Sequence, residues 1–397
     1  MTDVFTFMRE IESDIITYRR ELHKRAETGF ELAKTVQYIK NILTEIGCKP
    51  IDIGNHGVYT VIGKNSDKCI ILRADTDALP INEESELPFA SKKNMHACGH
   101  DMHTAMLLGA ARYLKSVESS LKHTVKLLFQ PAEEILMGAK NMIEGGILDN
   151  PKVTVAFMLH VMTAVPLKSG TMVISDGGVS APGTKYFEIE TIGKGCHGAM
   201  PNTGSDPIIA AANIITMLDT IKTRELSIYD NFVLTVGSFS SGTSHNVIPN
   251  TAKILGTFRA FDMKVMTLAE ESILRISDNV AKAFKCEAKV AFPMSAPCLV
   301  NDATLSQNTL SILKNAFEED LVTTSGELSN RFNTSSKSTG SEDFAYYSEK
   351  VPSLMIGLAA GNIKDGYEFP LHHPMVKLDE SALIYGATAL AEIATKI

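Results

Sequence analysis

At 397 residues the chain exceeds the roughly 250–300 residues over which one hydrophobic core keeps growing, so two domains are expected. A hydrophobic content of 44% beside 21% charged residues, with no run of about 18 apolar residues, argues against a membrane-spanning helical protein. A formal net charge of −8 sets the overall field against polyanions, and hence against nucleic acid as the main partner.

The opening segment Met1–Glu10 lacks the basic start and continuous apolar core of a secretory signal, so a cytoplasmic location is expected. Six widely scattered cysteines do not form a disulfide framework in such a chain; a special cysteine has to be explained by metal or chemistry.

In chain order, the first third alternates helix and strand signals. Helices are predicted over Phe7–Arg25 and Thr35–Ile46, strands over Val58–Ile62 and Lys68–Arg73, then a helix Met102–Ser116. The strand Thr124–Gln130, helix Glu134–Glu144 and strand Val153–His160 follow. This alternation predicts an α/β domain with a mixed, mostly parallel sheet and helices on both faces. Turn-rich stretches at Ser175–Gly183 and Phe292–Pro297 bracket a segment of order β-α-β-β-α-β, an α+β ferredoxin-like (split βαβ) insertion. Within it, Asp206 and Pro207 suit the start of a helix. The expected division is therefore residues 1–183 and 297–397 in one domain and 184–296 in the other. The last part returns to helix Ala303–Glu319, strand Ser353–Leu358 and a helix from Asp379, with a loop at Asn333–Thr339.

The densest chemical signal is His96-Ala97-Cys98-Gly99-His100-Asp101-Met102-His103, placed before a helix that Asp101 is expected to cap. A thiolate and an imidazole two residues apart across a glycine can turn to one point and hold a zinc-like ion; a buried cysteine beside polar histidines is the bland alternative. Glu133 and Glu134 follow an apolar strand stopped by Pro131. Adjacent carboxylates there repel unless a cation lies near, and one can bind metal while the other takes a proton from water; an acidic first helical turn is the competing reading. His160 closes an apolar strand, and Leu371-His372-His373-Pro374 sits in a loop. Each is weak alone. Together they supply Cys, His, Glu, His and His around one sheet, more donors than one tetrahedral zinc needs, with a spare Glu.

Around the insertion, His197 in Gly195–Pro201 is placed to donate to a developing oxyanion. Asn246, in Ser244–Asn250, and Arg259 at a strand end are candidates for holding a substrate carboxylate, against a turn amide and a solvated charge. Gly340-Ser341-Glu342-Asp343-Phe344 is a further supporting element or a capped helix start.

The ordered set Arg73-Ala74-Asp75-Thr76-Asp77-Ala78-Leu79-Pro80, Cys98-Gly99-His100-Asp101, Glu133-Glu134, His160, Gly195-Cys196-His197, Gly340–Phe344 and Leu371–Pro374 resembles the aminoacylase, hippurate hydrolase and auxin-conjugate (IAA-amino acid) amidohydrolase branch of the dinuclear metallopeptidase family M20. The resemblance runs from about Ile15 to Glu392. It implies a catalytic domain interrupted by a lid that also mediates homodimerisation. Two divalent ions, zinc or manganese with nickel or cobalt as the alternatives, are implied on Cys98, His100, Glu134, His160 and His372. Glu133 becomes the acid/base, Asp77 the aspartate that orients a metal-site group, and His197 the lid histidine that reaches substrate, often in the partner subunit. The motif's second histidine, His373, stands where relatives often carry Asn or Ser, so its competition as a ligand is an open question.

The expected activity is hydrolysis of a small-molecule N-acyl amino acid, acetyl, benzoyl or similar, by a metal-activated water. The rivals are a dipeptidase or carboxypeptidase on the same site and a noncatalytic metal-dependent ligand-binding protein. A purely structural zinc site is disfavoured by the wide dispersal of the donors along the chain.

Overall fold

The computed structural model describes residues 3–63 and 68–397, so Met1 and Thr2 of the opening segment lie outside the described residues. The chain divides into two compact units. One comprises residues 1–180, 300–337 and 343–397; the other comprises residues 181–299 and a short return at 338–342.

In the larger unit, among the described residues, the sheet runs Ile51–Ile53, Gly57–Ile62, Thr124–Gln130, Cys69–Asp75, Val153–Met162, Ser353–Ala359, Met172–Ile174, Val322–Thr324. The four central strands are parallel, and antiparallel joints flank them at Gly57–Ile62 and Met172–Ile174. Cys69–Asp75 and Thr124–Gln130 are buried at every position, as parallel strands covered on both faces must be. That is why they read as apolar runs and not as alternating ones.

Helix His100–Ser116 is buried nearly all round. Helices Glu12–His23 and Ala382–Lys396 pack on it, and Gly109 lets them approach, since a Cβ there would lie 2.8 Å from Ile15 Cδ1 and 3.2 Å from Ala387 Cβ. No described helix is long and apolar enough to cross a membrane.

Three local expectations are corrected. The opening helix is two, Val4–Glu10 and Glu12–His23, separated at Ile11. The helix expected from Glu134 begins at Gly138, because Ala132 and Leu136 take left-handed backbone (φ 58° and 55°) and hold residues 132–137 in a turn. Asp101 does not cap its helix; Gly99 precedes the first turn, and the buried Asp101 carboxylate accepts from Arg19 Nε and pairs with His23 Nδ1, both at 2.8 Å. The short strands Ile51–Ile53, Met172–Ile174 and Val322–Thr324, three residues each, gave too little periodicity to be read from sequence.

In the smaller unit the strand order is Phe232–Ser241, Thr251–Ala260, Gly183–Ile192, Glu287–Ala291, all antiparallel. Helices Pro207–Thr220 and Met263–Ala283 pack on each other and on this sheet, giving the split βαβ arrangement. Asp206 caps the first helix through the Ile208 and Ile209 amides, and Asp262 caps the second through Lys264 N. Phe187, Ile189, Ile214, Phe258 and Ile273 form its core.

Candidate metal centre and active site

The central strands of the larger unit deliver the chemical residues at or beyond their carboxyl ends, where open α/β sheets form ligand crevices. Asp75 ends one strand, with Asp77 just after it; Glu133 and Glu134 follow the next, and His160 lies near the end of a third. Cys98 comes from the loop before helix His100–Ser116 and His100 opens that helix, and Gly99 between them takes φ +82° where a Cβ would collide with Val161 Cγ2. Only glycine fits there, and its left-handed turn brings the two flanking side chains together.

His372 reaches the same place from its loop, in left-handed backbone (φ 68°) pinned by a bond from its amide to Ala97 O at 2.9 Å. The result is two donor groups that share a thiol. Cys98, His100 and His160 form one, and Cys98, Glu134 and His372 the other, with each group's donor atoms within 4.8 Å of one another. Cys98 Sγ lies 3.6 Å from His160 Nε2 and 3.2 Å from His372 Nε2, and Glu134 Oε1 lies 3.7 Å from His372 Nε2. Glu133 Oε2 stands 3.9 Å from His100 Nε2. His373 is in none of these groups; its Nδ1 accepts from Met375 N at 3.1 Å and its ring stacks on Phe369 at 4.4 Å.

Asp77 organises the centre from beneath. Its carboxylate accepts from Glu133 N at 3.0 Å and Glu134 N at 3.2 Å, and its backbone carbonyl accepts from His100 Nδ1 at 2.8 Å. The last bond fixes the His100 tautomer, leaving Nε2 as the atom turned to the site.

The electrostatics suit a cation. Burial disfavours charge on His100, yet Asp75, the bond to Asp77 and the Cys98 thiol outweigh it and hold its pKa well above the ordinary histidine value. Burial likewise pushes the Cys98 thiol up, with Glu134 and Glu133 adding to the rise against the His100 bond. Burial, with His100 and His160, lowers His372. A divalent ion reverses this logic by stabilising thiolate and neutral imidazole together. His100 Nε2 is buried and, apart from the Cys98 thiol beside it, has no hydrogen-bond partner, a position that a metal satisfies. Thiolate, imidazole and carboxylate together match zinc-like and neighbouring transition ions.

A second buried layer lies behind the donors. Arg73 pairs with Asp75 and Asp343, both at 2.6 Å, and Gln130 Nε2 donates to both Asp343 oxygens at 2.9 Å. Asp343 also accepts from Ala139 N at 2.8 Å, anchoring the helix that follows the Glu133–Glu134 turn. Sequence reasoning quoted Arg73, Asp75 and Asp343 within motifs but gave no task to Gln130 or His103. The available signal was a lone arginine inside an otherwise apolar strand, since a buried charge requires a partner.

His197 and Asn246 are neighbours: Gly198 N donates to Asn246 O at 2.8 Å, and Val247 pairs with His197. Both are exposed; the His197 ring accepts from Ala199 N, and the Asn246 amide oxygen accepts from Ser244 Oγ. Arg259 instead bonds Thr339 O and Ser341 Oγ at 3.0 and 3.2 Å. It sits at the far end of strand Thr251–Ala260 from the loop carrying Asn246. Eight residue steps from Arg259 to Thr251 amount to about 26 Å.

Residues 71–396 match the family model described as peptidase family M20/M25/M40. The chain belongs to this family. It is 36% identical over 98% of its length to the N-acetyl-L-cysteine deacetylase of Bacillus subtilis, covering 89% of that protein. It is 36% identical to the IAA-amino acid hydrolase ILR1-like 4 of Arabidopsis thaliana, over 96% of this chain and 85% of that one. Among solved structures it resembles the Bacillus subtilis YXEP protein, a dinuclear metal binding peptidase from the M20 family, with a TM-score of 0.77, 31% identity and 98% of both chains covered. The chain is thus a metal-dependent hydrolase of the M20 family, with a donor cluster able to hold the ions.

Proposed function

We propose that this M20 hydrolase cleaves N-acyl amino acids to a carboxylate and a free amino acid. The observation that carries the reading is the pair of donor groups meeting at Cys98, with Glu133 beside them and the Glu133–Glu134 backbone held by Asp77. Relatives named for deacetylation and for hydrolysis of amino-acid conjugates support the substrate class.

In this reading Cys98, His100 and His160 would hold one divalent ion, and Glu134 and His372, with the same thiol close by, would hold the other. Bound there, such ions supply Lewis acidity that acidifies water and polarises the scissile carbonyl. Glu133 accepts the proton of the attacking water and later delivers it to the leaving amine. Asp77 keeps Glu133, Glu134 and His100 in register for this exchange. His197 donates to the oxyanion, while Asn246 and Arg259 fix the substrate carboxylate.

Arg259 lies about 26 Å along its strand from the end that the Asn246 loop adjoins, which favours the two residues serving different copies of the site. Two copies resolve this: His197 and Asn246 of one copy complete the site that uses Arg259 of another. The exposed edge strand Phe232–Ser241 of the smaller unit offers the surface for such a homodimer, with this unit acting as lid. All six cysteines are free, as suits a reducing cytoplasm.

The test is amide hydrolysis by chelator-stripped protein with manganese, zinc, cobalt or nickel restored, across N-acetyl amino acids, hippurate and unblocked dipeptides. Metal-restored release of amino acid from acylated substrates is expected. Preference for dipeptides moves the chain to the peptidase reading, and no turnover with any metal overturns the proposal.

A further inference from the structure

The motif His96–His103 holds a third histidine near the donors, His103, which the ligand assignment leaves unused although it sits three residues after His100. It is buried, and Asp75, His100 and His103 by themselves form a compact donor group. Its hydrogen bonds settle what it cannot be. A backbone amide only donates, so His103 Nε2, which lies 2.9 Å from Val161 N, is an unprotonated acceptor. The ring proton is then on Nδ1, donated to Asp75 Oδ1 at 2.6 Å. Both nitrogens are committed, and no lone pair is left for an ion.

The same bonds lead to the metal centre. Val161 gives its amide to His103, and its carbonyl accepts from His160 Nδ1 at 2.8 Å. The His103 ring also lies edge-on against the His160 ring, 4.6 Å between centroids. Behind the pair, Arg73 Nη1 donates to Asp75 Oδ2 at 2.6 Å, and Thr104 Oγ1 donates to Asp75 O at 3.0 Å. A continuous line therefore runs Arg73, Asp75, His103, Val161 backbone, His160.

We propose that His103, anchored by Asp75, is a positioning residue that sets the orientation of His160 through the Val161 backbone and so controls occupancy of the ion site formed by Cys98, His100 and His160. This rests on the dinuclear reading given above. His103 touches neither ion nor substrate. Glutamine at this position retains both bonds, its amide nitrogen donating to Asp75 and its oxygen accepting from Val161 N; leucine retains neither.

The experiment compares wild type, H103L, H103Q and C98A as full-length protein, stripped of metal and titrated with zinc or cobalt. Bound ions are counted, each affinity is measured calorimetrically, and the cobalt–thiolate absorption is recorded. H103L is expected to bind one of the two ions about 10- to 100-fold more weakly, with kcat falling and KM little changed, while H103Q stays near wild type. C98A is expected to lose both. Wild-type affinity for both ions in H103L, or equal loss in H103Q and H103L, overturns the proposal. Should H103L fail to fold, D75N replaces it, with the same selective weakening expected and unchanged affinity for both ions overturning the idea. A wild type that binds no ion at all overturns the dinuclear reading and this inference with it, an outcome distinct from failure of His103 alone.

Discussion

The two units hold most of their candidate chemical groups in opposite ways, the exposed His372 of the larger unit excepted. In the larger unit Cys98, His100 and Glu133 are buried, and backbone or side-chain bonds fix the orientation of His100 and the Glu133 turn. In the smaller unit His197 and Asn246 are exposed and held mainly through their backbones. On the proposed function, the difference fits what each set would do. Groups that hold ions and move a proton must be pre-organised before substrate arrives, since reorganisation costs barrier height. Groups that meet substrate from a lid have to arrive and leave.

The largest effect that sharpens this contrast is expected at Glu133. E133Q should keep both ions and the fold while kcat falls about 10³-fold; ion counting and steady-state kinetics check it, and substantial retained turnover removes Glu133 from its role.

Next is the rigidity of the larger unit's frame. His23 is buried with Nδ1 2.8 Å from Asp101 and Nε2 3.1 Å from Glu83, so both nitrogens donate and the ring is an imidazolium. Burial opposes that charge, but Asp101 and Glu83 outweigh it and raise its pKa. A raised folded pKa means the stabilisation is complete below the unfolded value of about 6.5 and is lost as pH rises through the folded value. H23Q should therefore cost about 3 kcal/mol at pH 6, with the gap to wild type narrowing in alkaline buffer. Urea unfolding across pH reads this, and a gap that widens with pH contradicts it.

The smallest effect is expected in the smaller unit. H197A should lower kcat about 10²-fold and leave melting temperature and metal content nearly unchanged, because the ring is exposed and its one local bond, accepted from Ala199 N, is open to solvent. A fall in stability comparable to that of H23Q erases the contrast between the units.

Much of the molecule was legible in the residue order. The apolar runs Cys69–Arg73 and Thr124–Gln130 announced buried parallel strands, and Asp206-Pro207 announced a helix start, because each signal is local. The donors Cys98, His100, Glu134, His160 and His372 could be nominated by residue type and placement. Asp101 was misread as a cap because its true partners, Arg19 and His23, lie 82 and 78 residues away. His103 was passed over for the same reason, since Val161 is 58 residues distant.

The sequence by itself indicated the two architectures, the order of their longer elements and a candidate set of groups with the chemistry to bind ions and move protons. These depend on periodicity, turn chemistry and side-chain type, which act over a few residues. Tertiary structure alone decided that Cys98 faces both donor groups, that Asp77 grips the Glu133–Glu134 backbone, that His373 stacks on Phe369 away from the donors, and that His103 is locked on both nitrogens. Those choices are made by hydrogen-bond direction and contacts across parallel strands, which pair residues far apart in the chain and leave no periodic trace along it.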